Sequence, residues 1–220
     1  MPSLTVENYV KAIFTICSSQ RGETAATGQL SSALGVSPGT VTSMLKTLSE
    51  SNLATYTPYE GVRLTTAGNA LALRVLRRHR LIELFLVKTL NLTWDEVHEE
   101  AEHMEHAVSD WLVDRIDASL GYPQADPHGD PIPRRDGSID SSESRSLADC
   151  QPGERFTLAR VMDQSPEFLR YLSSSGLTLG TSGEVRANER AAGVLTIRVG
   201  TQETALGREV AEKLRVSSDH

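Results

Sequence analysis

The nine residues from His98 to His106 read His-Glu-Glu-Ala-Glu-His-Met-Glu-His and concentrate side chains that bind cations. On an α-helix their spacing puts four ligand groups on or beside one face: His98, Glu102, Glu105 and His106. Such groups repel each other unless a cation satisfies them, although an acidic run is more often a solvated helix face. The i, i+4 pair His79 and Glu83 in the preceding helix favours a metal site.

Local signals predict the elements that carry these groups. Thr93 with Glu96 three residues later is a capping box, and it predicts a helix that starts at Trp94. The other face of this predicted helix is more apolar than a surface helix requires, and its residues are Val97, Met104, Val108, Trp111, Leu112 and Ile116. This surplus indicates either a two-fold dimer interface or an ordinary buried helix.

Composition predicts a folded, cytoplasmic protein. The chain has 220 residues, of which 39% are hydrophobic, and no apolar run approaches the roughly 18 residues that span a bilayer. The first residues lack the regions of a signal peptide, so we expect no membrane association. Cys17 and Cys150 have no metal-binding spacing, and we expect no disulfide.

The charge is unevenly distributed along the chain. The whole chain carries −7, but residues 1–92 carry a net +4, residues 93–150 a net −11, and residues 151–220 none. A basic first third suits contact with phosphates, whereas the acidic middle suits cations.

The first third resembles a winged helix-turn-helix. After a helix over residues 5–18, a short helix around Gln29–Leu34 and a helix from Pro38 to about Ser49 flank a Gly-containing turn, with Ser37 as N-cap. Two β-prone runs, Leu53–Tyr56 and Val62–Leu64, then predict a hairpin wing. The predicted DNA-contacting residues are Ser37, Pro38, Gly39, Thr40, Thr42, Ser43, Lys46 and Arg63, with Tyr56 as a possible phosphate contact.

The remaining chain predicts a long helix, a linker and a small β-rich domain. Thr66 caps a helix from Ala67 to about Leu90, and residues 121–146 read as a linker, at least in their second half. Runs at Arg155–Val161, Leu177–Leu179 and Val194–Val199 predict strands, with a helical insert at Pro166–Leu172. We therefore expect a mainly α protein with small β content. Its predicted domains are a winged helix-turn-helix at 1–73, a helical dimerisation and metal-binding domain with linker at 74–140, and an SH3-like barrel at 147–220.

Taken in order, these motifs resemble the DtxR/MntR family of metal-dependent transcriptional repressors, specifically its manganese-sensing branch with a C-terminal SH3-like, FeoA-like domain. The resemblance covers nearly the whole chain. It is carried by the winged helix, by Arg78-His79-Arg80-Leu81-Ile82-Glu83, by the His98–His106 run and by Asp126-Pro127-His128-Gly129-Asp130-Pro131-Ile132-Pro133. It implies a metal-loaded homodimer that binds double-stranded operator DNA and represses metal-uptake genes.

The resemblance also implies two ligand sets. The primary set is Asn8, His79, Glu102, Glu105 and His106. The secondary set is Glu83, His98, Asp126, His128 and Asp163, with Gln164 or Glu167 as alternatives to Asp163. His103 matches no family ligand.

Two residues depart from the family pattern. Asn8 stands where the manganese branch has an aspartate, and it brings an amide oxygen without charge. Lys11 stands where some two-metal members have a glutamate, which disfavours a binuclear site. Because the sets contain only oxygen and imidazole ligands, they suit Mn²⁺, with Fe²⁺ as the alternative and Zn²⁺, Co²⁺ or Cd²⁺ as further ions that can bind.

Two other classes of function compete with this interpretation. A metalloenzyme is disfavoured, because His98-Glu99-Glu100-Ala101-Glu102 lacks the second histidine of a zincin and only one helix has a pattern comparable to a di-iron motif. We therefore predict that the chain is not an enzyme. A winged-helix regulator with an organic or protein effector is the second alternative, with the acidic helix merely solvated.

Overall fold

The computed structural model describes residues 3–20, 22–140 and 144–217. The chain forms two compact units. The first comprises Met1–His79, Glu105–Val108 and Pro133–Ser138, and the second comprises Arg80–Met104, Ser109–Ile132 and Ile139–His220. No helix in the described part of the chain is both long and apolar enough to cross a membrane.

The first unit contains the winged helix that the sequence predicts. Its elements are α1 (Leu4–Ser19), α2 (Thr27–Leu34), α3 (Pro38–Glu50), β1 (Ala54–Thr57) and β2 (Gly61–Leu64). The Ser37 hydroxyl accepts a hydrogen bond from the Thr40 amide at 3.2 Å, which fixes the start of α3. The buried face of α3 consists of Val41, Leu45 and Leu48, and it packs into one core with Val10 and Ile13 of α1. The remaining face of α3 is left for solvent or a ligand.

Helix α4 (Thr66–Leu90) begins against this core. A Cβ atom added at Gly68 would lie 1.9 Å from the backbone oxygen of Leu53, whereas one added at Gly28 in α2 meets nothing within 4 Å. Glycine is therefore required at position 68, because a backbone carbonyl cannot move aside as a side-chain tip can.

We expect Gly68→Ala to destabilise the protein by about 3 kcal/mol, since it overpacks a backbone contact. Gly28→Ala is the matched control, and we expect it to change stability by less than about 1 kcal/mol. Urea unfolding of both variants measures the difference. Equal midpoints for the two would contradict this account of the α4 start.

Two shorter helices follow, α5 (Val97–Glu105) and α6 (Asp110–Ser119). The predicted helix start at Trp94 is wrong, since α5 begins at Val97. The Trp94 carbonyl accepts a hydrogen bond from His128 Nε2 at 2.7 Å. The Glu96 carboxylate still accepts hydrogen bonds from the Thr93 amide at 2.9 Å and the Thr93 hydroxyl at 2.7 Å.

The predicted apolar face is split between these two helices. The chain leaves helical geometry after Glu105 and restarts at Asp110, where the Ser109 hydroxyl accepts a hydrogen bond from the Leu112 amide at 3.3 Å. His106 therefore lies in the turn that follows α5 rather than on its surface. In α6, Trp111 is 72% and Leu112 is 43% exposed, so this part of the predicted apolar face is uncovered in the single chain.

The C-terminal part of the second unit is an antiparallel six-stranded sheet of order β3-β8-β4-β5-β6-β7. Its elements are β3 (Arg145–Ser146), β4 (Arg155–Val161), α7 (Pro166–Ser174), β5 (Ser182–Glu189), β6 (Val194–Val199), β7 (Gln202–Gly207), α8 (Arg208–Glu212) and β8 (Leu214–Ser217). Its core includes Phe156, Leu158 and Leu172. This sheet is consistent with the SH3-like domain expected from the sequence.

Strand β4, strand β6 and helix α7 agree with the sequence predictions, but the strand predicted at Leu177–Leu179 is wrong. The Leu177 amide donates to the Leu172 carbonyl at 2.9 Å and closes the end of α7 instead. Strands β5 and β7 were not predicted, because neither sequence alternates apolar and polar residues. Each strand buries a single side chain, Val185 in β5 and Leu206 in β7.

The first half of the predicted linker is an ordered part of the second unit. The Val161 amide of β4 donates to the His128 carbonyl at 2.9 Å. A Cβ atom at Gly129 would lie 2.1 Å from the Ala159 oxygen, so only glycine permits this approach. Residues 141–143 of the predicted linker lie outside the described residues.

Candidate metal centres and DNA-binding surface

Three predicted primary ligands converge on one another in the first unit. His106 Nε2 lies 2.7 Å from Asn8 Oδ1 of α1 and 3.2 Å from Glu105 Oε1. Asn8, the neutral residue of the predicted primary set, directs its amide oxygen toward the imidazole. One imidazole nitrogen therefore lies within hydrogen-bond distance of two oxygens, and this donor set suits a hard divalent cation.

His79 of α4 joins this group through Glu105. His79 Nδ1 lies 2.6 Å from Glu105 Oε2, and the Glu105 side chain is 1% exposed. Burial raises the pKa of Glu105, but hydrogen bonds and charge from His79 and Lys11 outweigh burial and hold this pKa below its ordinary value. Glu105 is therefore a carboxylate that needs positive charge beside it.

Lys11 supplies part of that positive charge. Its ammonium nitrogen donates to both oxygens of Glu105 at 2.9 Å each and lies 3.4 Å from His79 Nδ1. The Lys11 side chain is only 16% exposed. The residue that departs from the two-metal pattern in sequence thus lies among the primary ligands.

Glu7 is a part of this site that the sequence analysis missed. Glu7 Oε2 lies 2.7 Å from His106 Nδ1, and Glu7 Oε1 lies 3.7 Å from Arg78. Glu7 is 7% exposed. The signal available in the sequence was an acidic residue three positions before Val10, on the buried side of an amphipathic helix. A carboxylate on one ring nitrogen orients the other nitrogen toward a metal, a common arrangement in metal sites.

Glu102, predicted as a primary ligand, belongs to the second unit. Its carboxylate is 52% exposed, and its Oε1 lies 3.7 Å from His98 Nε2. The contacts described above bring together Asn8, His79, Glu105 and His106, and we call these four residues the primary site. The role of Glu102 stays a prediction.

Three predicted secondary ligands form a buried cluster in the second unit. Ligand atoms of Glu83, Asp126 and His128 lie within 4.8 Å of one another, and all three residues are buried. We call this group the second cluster. His98 Nδ1 lies 3.3 Å from Glu83 Oε1 at its partly exposed edge.

The tautomer of His128 indicates that the second cluster needs a cation. His128 Nε2 faces the Trp94 carbonyl oxygen at 2.7 Å. A carbonyl only accepts, so Nε2 carries the proton. The other ring nitrogen, Nδ1, is buried without a hydrogen-bond partner and lies 3.7 Å from Glu83 Oε2. A ring nitrogen that faces a buried carboxylate in this way suits a divalent cation held between them.

The pKa values of Asp126 and His128 also indicate that the second cluster needs positive charge. Burial, together with the charges of Asp130 and Glu83, raises the pKa of Asp126 to about 7. Burial lowers the pKa of His128, but Glu83, Asp126 and the Trp94 carbonyl outweigh burial and raise it above its ordinary value. Without a metal, the cluster retains protons that a divalent cation would replace.

Asp163 lies outside the compact group formed by Glu83, Asp126 and His128. Asp163 Oδ2 accepts from Lys213 at 2.9 Å, and Asp163 Oδ1 accepts from the Ser165 amide at 3.0 Å. Of the alternatives, Gln164 donates to Asp130 at 2.9 Å, and the Glu167 side chain is 80% exposed. Gln164 is thus tied to the ordered loop that carries Asp126 and His128.

The predicted DNA-contacting residues lie on the outer side of α3 and on the hairpin. All of them are exposed except Thr42, which is half-buried: Ser37, Pro38, Gly39, Thr40, Thr42, Ser43, Lys46 and Arg63. Tyr56 is half-buried, and with Thr42 and Lys46 it lines a groove of about 550 Å³ beside the hairpin tip. Thr42 donates to the Pro38 carbonyl at 3.0 Å. Lys46, Ser43 and Arg63 therefore offer a polar, partly basic surface of the kind that contacts DNA.

Family models match most of the chain in three consecutive segments. Residues 1–62 match the iron dependent repressor N-terminal DNA binding domain. Residues 65–134 match the iron dependent repressor metal binding and dimerisation domain. Residues 145–218 match the FeoA domain.

Individual proteins agree with these models. The iron-dependent repressor IdeR of Mycobacterium leprae is 33% identical over 129 residues, which are 59% of this chain and 55% of that protein. The chain thus aligns with little more than half of this curated relative. The HTH-type transcriptional regulator MntR of Geobacillus kaustophilus is 31% identical over 57% of this chain and 87% of its own length.

A solved structure described as a manganese-dependent transcriptional repressor complex with manganese is 39% identical. It has a TM-score of 0.87 and covers 97% of this chain and 100% of its own. The diphtheria toxin repressor of Corynebacterium efficiens is 28% identical over 87% of this chain and 86% of its own length. With the winged helix and these three family matches, the chain belongs to the DtxR/MntR family of iron-dependent and manganese-dependent repressors.

Proposed function

We propose that this protein is a Mn²⁺-dependent transcriptional repressor that binds operator DNA as a homodimer and represses metal-uptake genes. The observation that carries the proposal is the convergence of Asn8, Glu105 and His106 within the compact unit that holds the winged helix. The family models for DNA binding and for metal binding with dimerisation support it. The manganese-bound relative supports the choice of metal.

The chain's own residues explain how the primary site influences α3. Asn8 lies on α1, and α1 shares a buried core with α2 and α3. Glu105 is the last residue of α5, His106 follows it, and His79 lies on α4. When bound, a divalent cation supplies a charge that all these ligands contact together. Its binding therefore favours the arrangement in which α1 and α4 hold their ligands in place, and it shifts the population toward that arrangement.

The ligand chemistry favours Mn²⁺, with Fe²⁺ as the alternative. Among the predicted ligands there is no cysteine or methionine, and oxygen with imidazole is the set that suits Mn²⁺. Iron-dependent relatives keep Fe²⁺ open. Solved relatives described with Zn²⁺ and Cd²⁺, at 32% identity, support the expectation that other divalent ions bind as well.

The division into three domains, at 1–73, 74–140 and 147–220, forms part of the proposal. The three consecutive family matches support it. The uncovered Trp111 and Leu112 of α6 support a dimer built by the middle domain. Catalysis is not part of the proposed role, and the relatives named above are described as regulators.

An electrophoretic shift tests the proposal. The probe is the DNA upstream of the protein's own gene, titrated with metal-free protein and with protein loaded with Mn²⁺, Fe²⁺ or Zn²⁺. We expect Mn²⁺ to tighten binding about a hundredfold, which corresponds to about 2.7 kcal/mol. Equal affinity with and without every metal would refute metal dependence, and it would favour a winged-helix regulator with a different effector.

Glu7→Gln tests the part of the site that the structure added. The amide does not carry the negative charge that Glu7 presents to His106 Nδ1, so we expect Mn²⁺ affinity of the primary site to fall about 10-fold to 100-fold. Isothermal calorimetry measures this loss. Glu23→Gln is the control, because Glu23 is an exposed acid of the same unit. Equal Mn²⁺ affinity in both variants would show that Glu7 has no part in metal binding.

A further inference from the structure

Lys11 presents the primary site with a cation of its own. Its ammonium lies 2.9 Å from both oxygens of Glu105. One of those oxygens, Oε2, also lies 2.6 Å from His79 Nδ1, and the other, Oε1, lies 3.2 Å from His106 Nε2. Both Glu105 oxygens therefore contact Lys11 as well as an imidazole.

The burial of this ion pair makes the competition strong. Glu105 is 1% and Lys11 is 16% exposed, so water screens the pair poorly. A divalent cation on Glu105 would lie within a few ångströms of the ammonium if Lys11 kept its place, and two cations at that range repel strongly in a buried site. Lysine has a flexible four-carbon stem, so its ammonium can leave for solvent.

We propose that Lys11 is a tethered cation that neutralises Glu105 in the metal-free protein and must withdraw before a divalent cation binds there. This inference rests on the proposed function, because it concerns the same primary site. Lys11 thereby sets the metal concentration at which the site fills.

Two features of the site agree with this role. Asn8 is a neutral ligand, so Glu105 is the one carboxylate in the primary set of Asn8, His79, Glu105 and His106. One ammonium therefore balances that set in the absence of metal. Glu7, a buried carboxylate beside His106, lies 3.7 Å from a cation of its own, Arg78. Lys11 therefore pairs with Glu105, whereas Glu7 has Arg78 beside it.

Calorimetric titration of metal-free protein with Mn²⁺ tests the inference. Lys11→Met removes the competing charge, and we expect one class of Mn²⁺ sites to bind about tenfold more tightly or better, the effect of losing a charged hydrogen bond. Lys88→Met is the control, because Lys88 is an exposed lysine at the end of α4. We expect Lys88→Met to bind as the wild type does.

The outcomes separate this inference from the proposed function. Unchanged affinity in Lys11→Met, in a protein whose wild type binds Mn²⁺, overturns the role of Lys11 and leaves the metal-dependent repressor standing. Absence of saturable Mn²⁺ binding in the wild type and in both variants overturns the two together. If Lys11→Met binds Mn²⁺ tightly and the wild type does not, the Lys11 ammonium competes with Mn²⁺ strongly enough to keep the wild-type site empty.

A second measurement on the wild type guards against misfolding of the variant. Acetylation of Lys11 by acetic anhydride, followed by peptide mass spectrometry, reports whether its ammonium is engaged. We expect slow modification in the metal-free protein and several-fold faster modification when Mn²⁺ saturates the protein. Lys88 serves as the internal standard. A Lys11 rate that does not change with Mn²⁺ refutes the withdrawal of Lys11.

Discussion

His106→Ala is expected to abolish Mn²⁺-stimulated DNA binding while leaving the protein folded. His106 is the residue on which Asn8 and Glu105 converge, and its imidazole provides the nitrogen of that ligand set. Its loss removes the contact between α1 and the chain that follows α5. We therefore expect affinity for operator DNA in the presence of Mn²⁺ to fall to the metal-free level, about a hundredfold.

The control for this experiment lies three residues away. His103→Ala removes an exposed imidazole from α5 and should preserve the response to Mn²⁺. Circular dichroism of both variants checks that the helices are retained. If His106→Ala still responds to Mn²⁺ at wild-type concentrations, the assignment of the primary site is wrong. The same outcome for Glu102→Ala would remove Glu102 from the predicted ligand set.

The second large effect is expected at the second cluster. Glu83→Gln should remove most of the thermal stabilisation that Mn²⁺ gives to the second unit. The Glu83 side chain is 1% exposed and its Oε2 faces the buried Nδ1 of His128. Metal at a hundred times its dissociation constant stabilises a folded protein by about 2.7 kcal/mol. In a unit of this size that corresponds to a rise in Tm of several degrees, on the order of 5–10 °C.

Scanning calorimetry with and without Mn²⁺ measures this difference in Tm. Glu100→Gln is the control, since it neutralises an exposed acid on α5. The control should keep the full rise in Tm, whereas Glu83→Gln should show little of it. A full rise in Glu83→Gln would mean that the buried group of Glu83, Asp126 and His128 does not hold the metal.

Sequence alone predicted the classes of element, and with the family resemblance it named the residues that we propose as ligands. The winged helix was recognisable because its signals are local: the Ser37 cap, the apolar stripe of α3 and the turn residues of the hairpin act within a few positions. The His98–His106 run predicted cation binding, because helical spacing places its ligand side chains on or beside one face. The family resemblance then divided that run between two ligand sets.

Tertiary contacts decided what those signals left open. Helix α5 begins at Val97 rather than at Trp94, and the Trp94 carbonyl contacts His128, 34 residues away. Strands β5 and β7 were missed because sheet pairing, rather than an apolar pattern, holds them in place. The loop around Asp126 read as a linker from its prolines and glycines, yet backbone contacts with β4 order it.

The charges around the primary site show most clearly what sequence predicts and what only tertiary contacts decide. The family resemblance predicted Asn8, Glu105 and His106 as ligands and marked Lys11 as a departure from the family pattern. It said nothing about Glu7, and it did not place the Lys11 ammonium on Glu105, because both contacts join α1 to residues nearly a hundred positions away. Residue types and spacing determine which cations a chain can bind. Only the fold decides which charges stand beside each ligand, because electrostatic energy depends on distance and burial, and neither quantity is local in sequence.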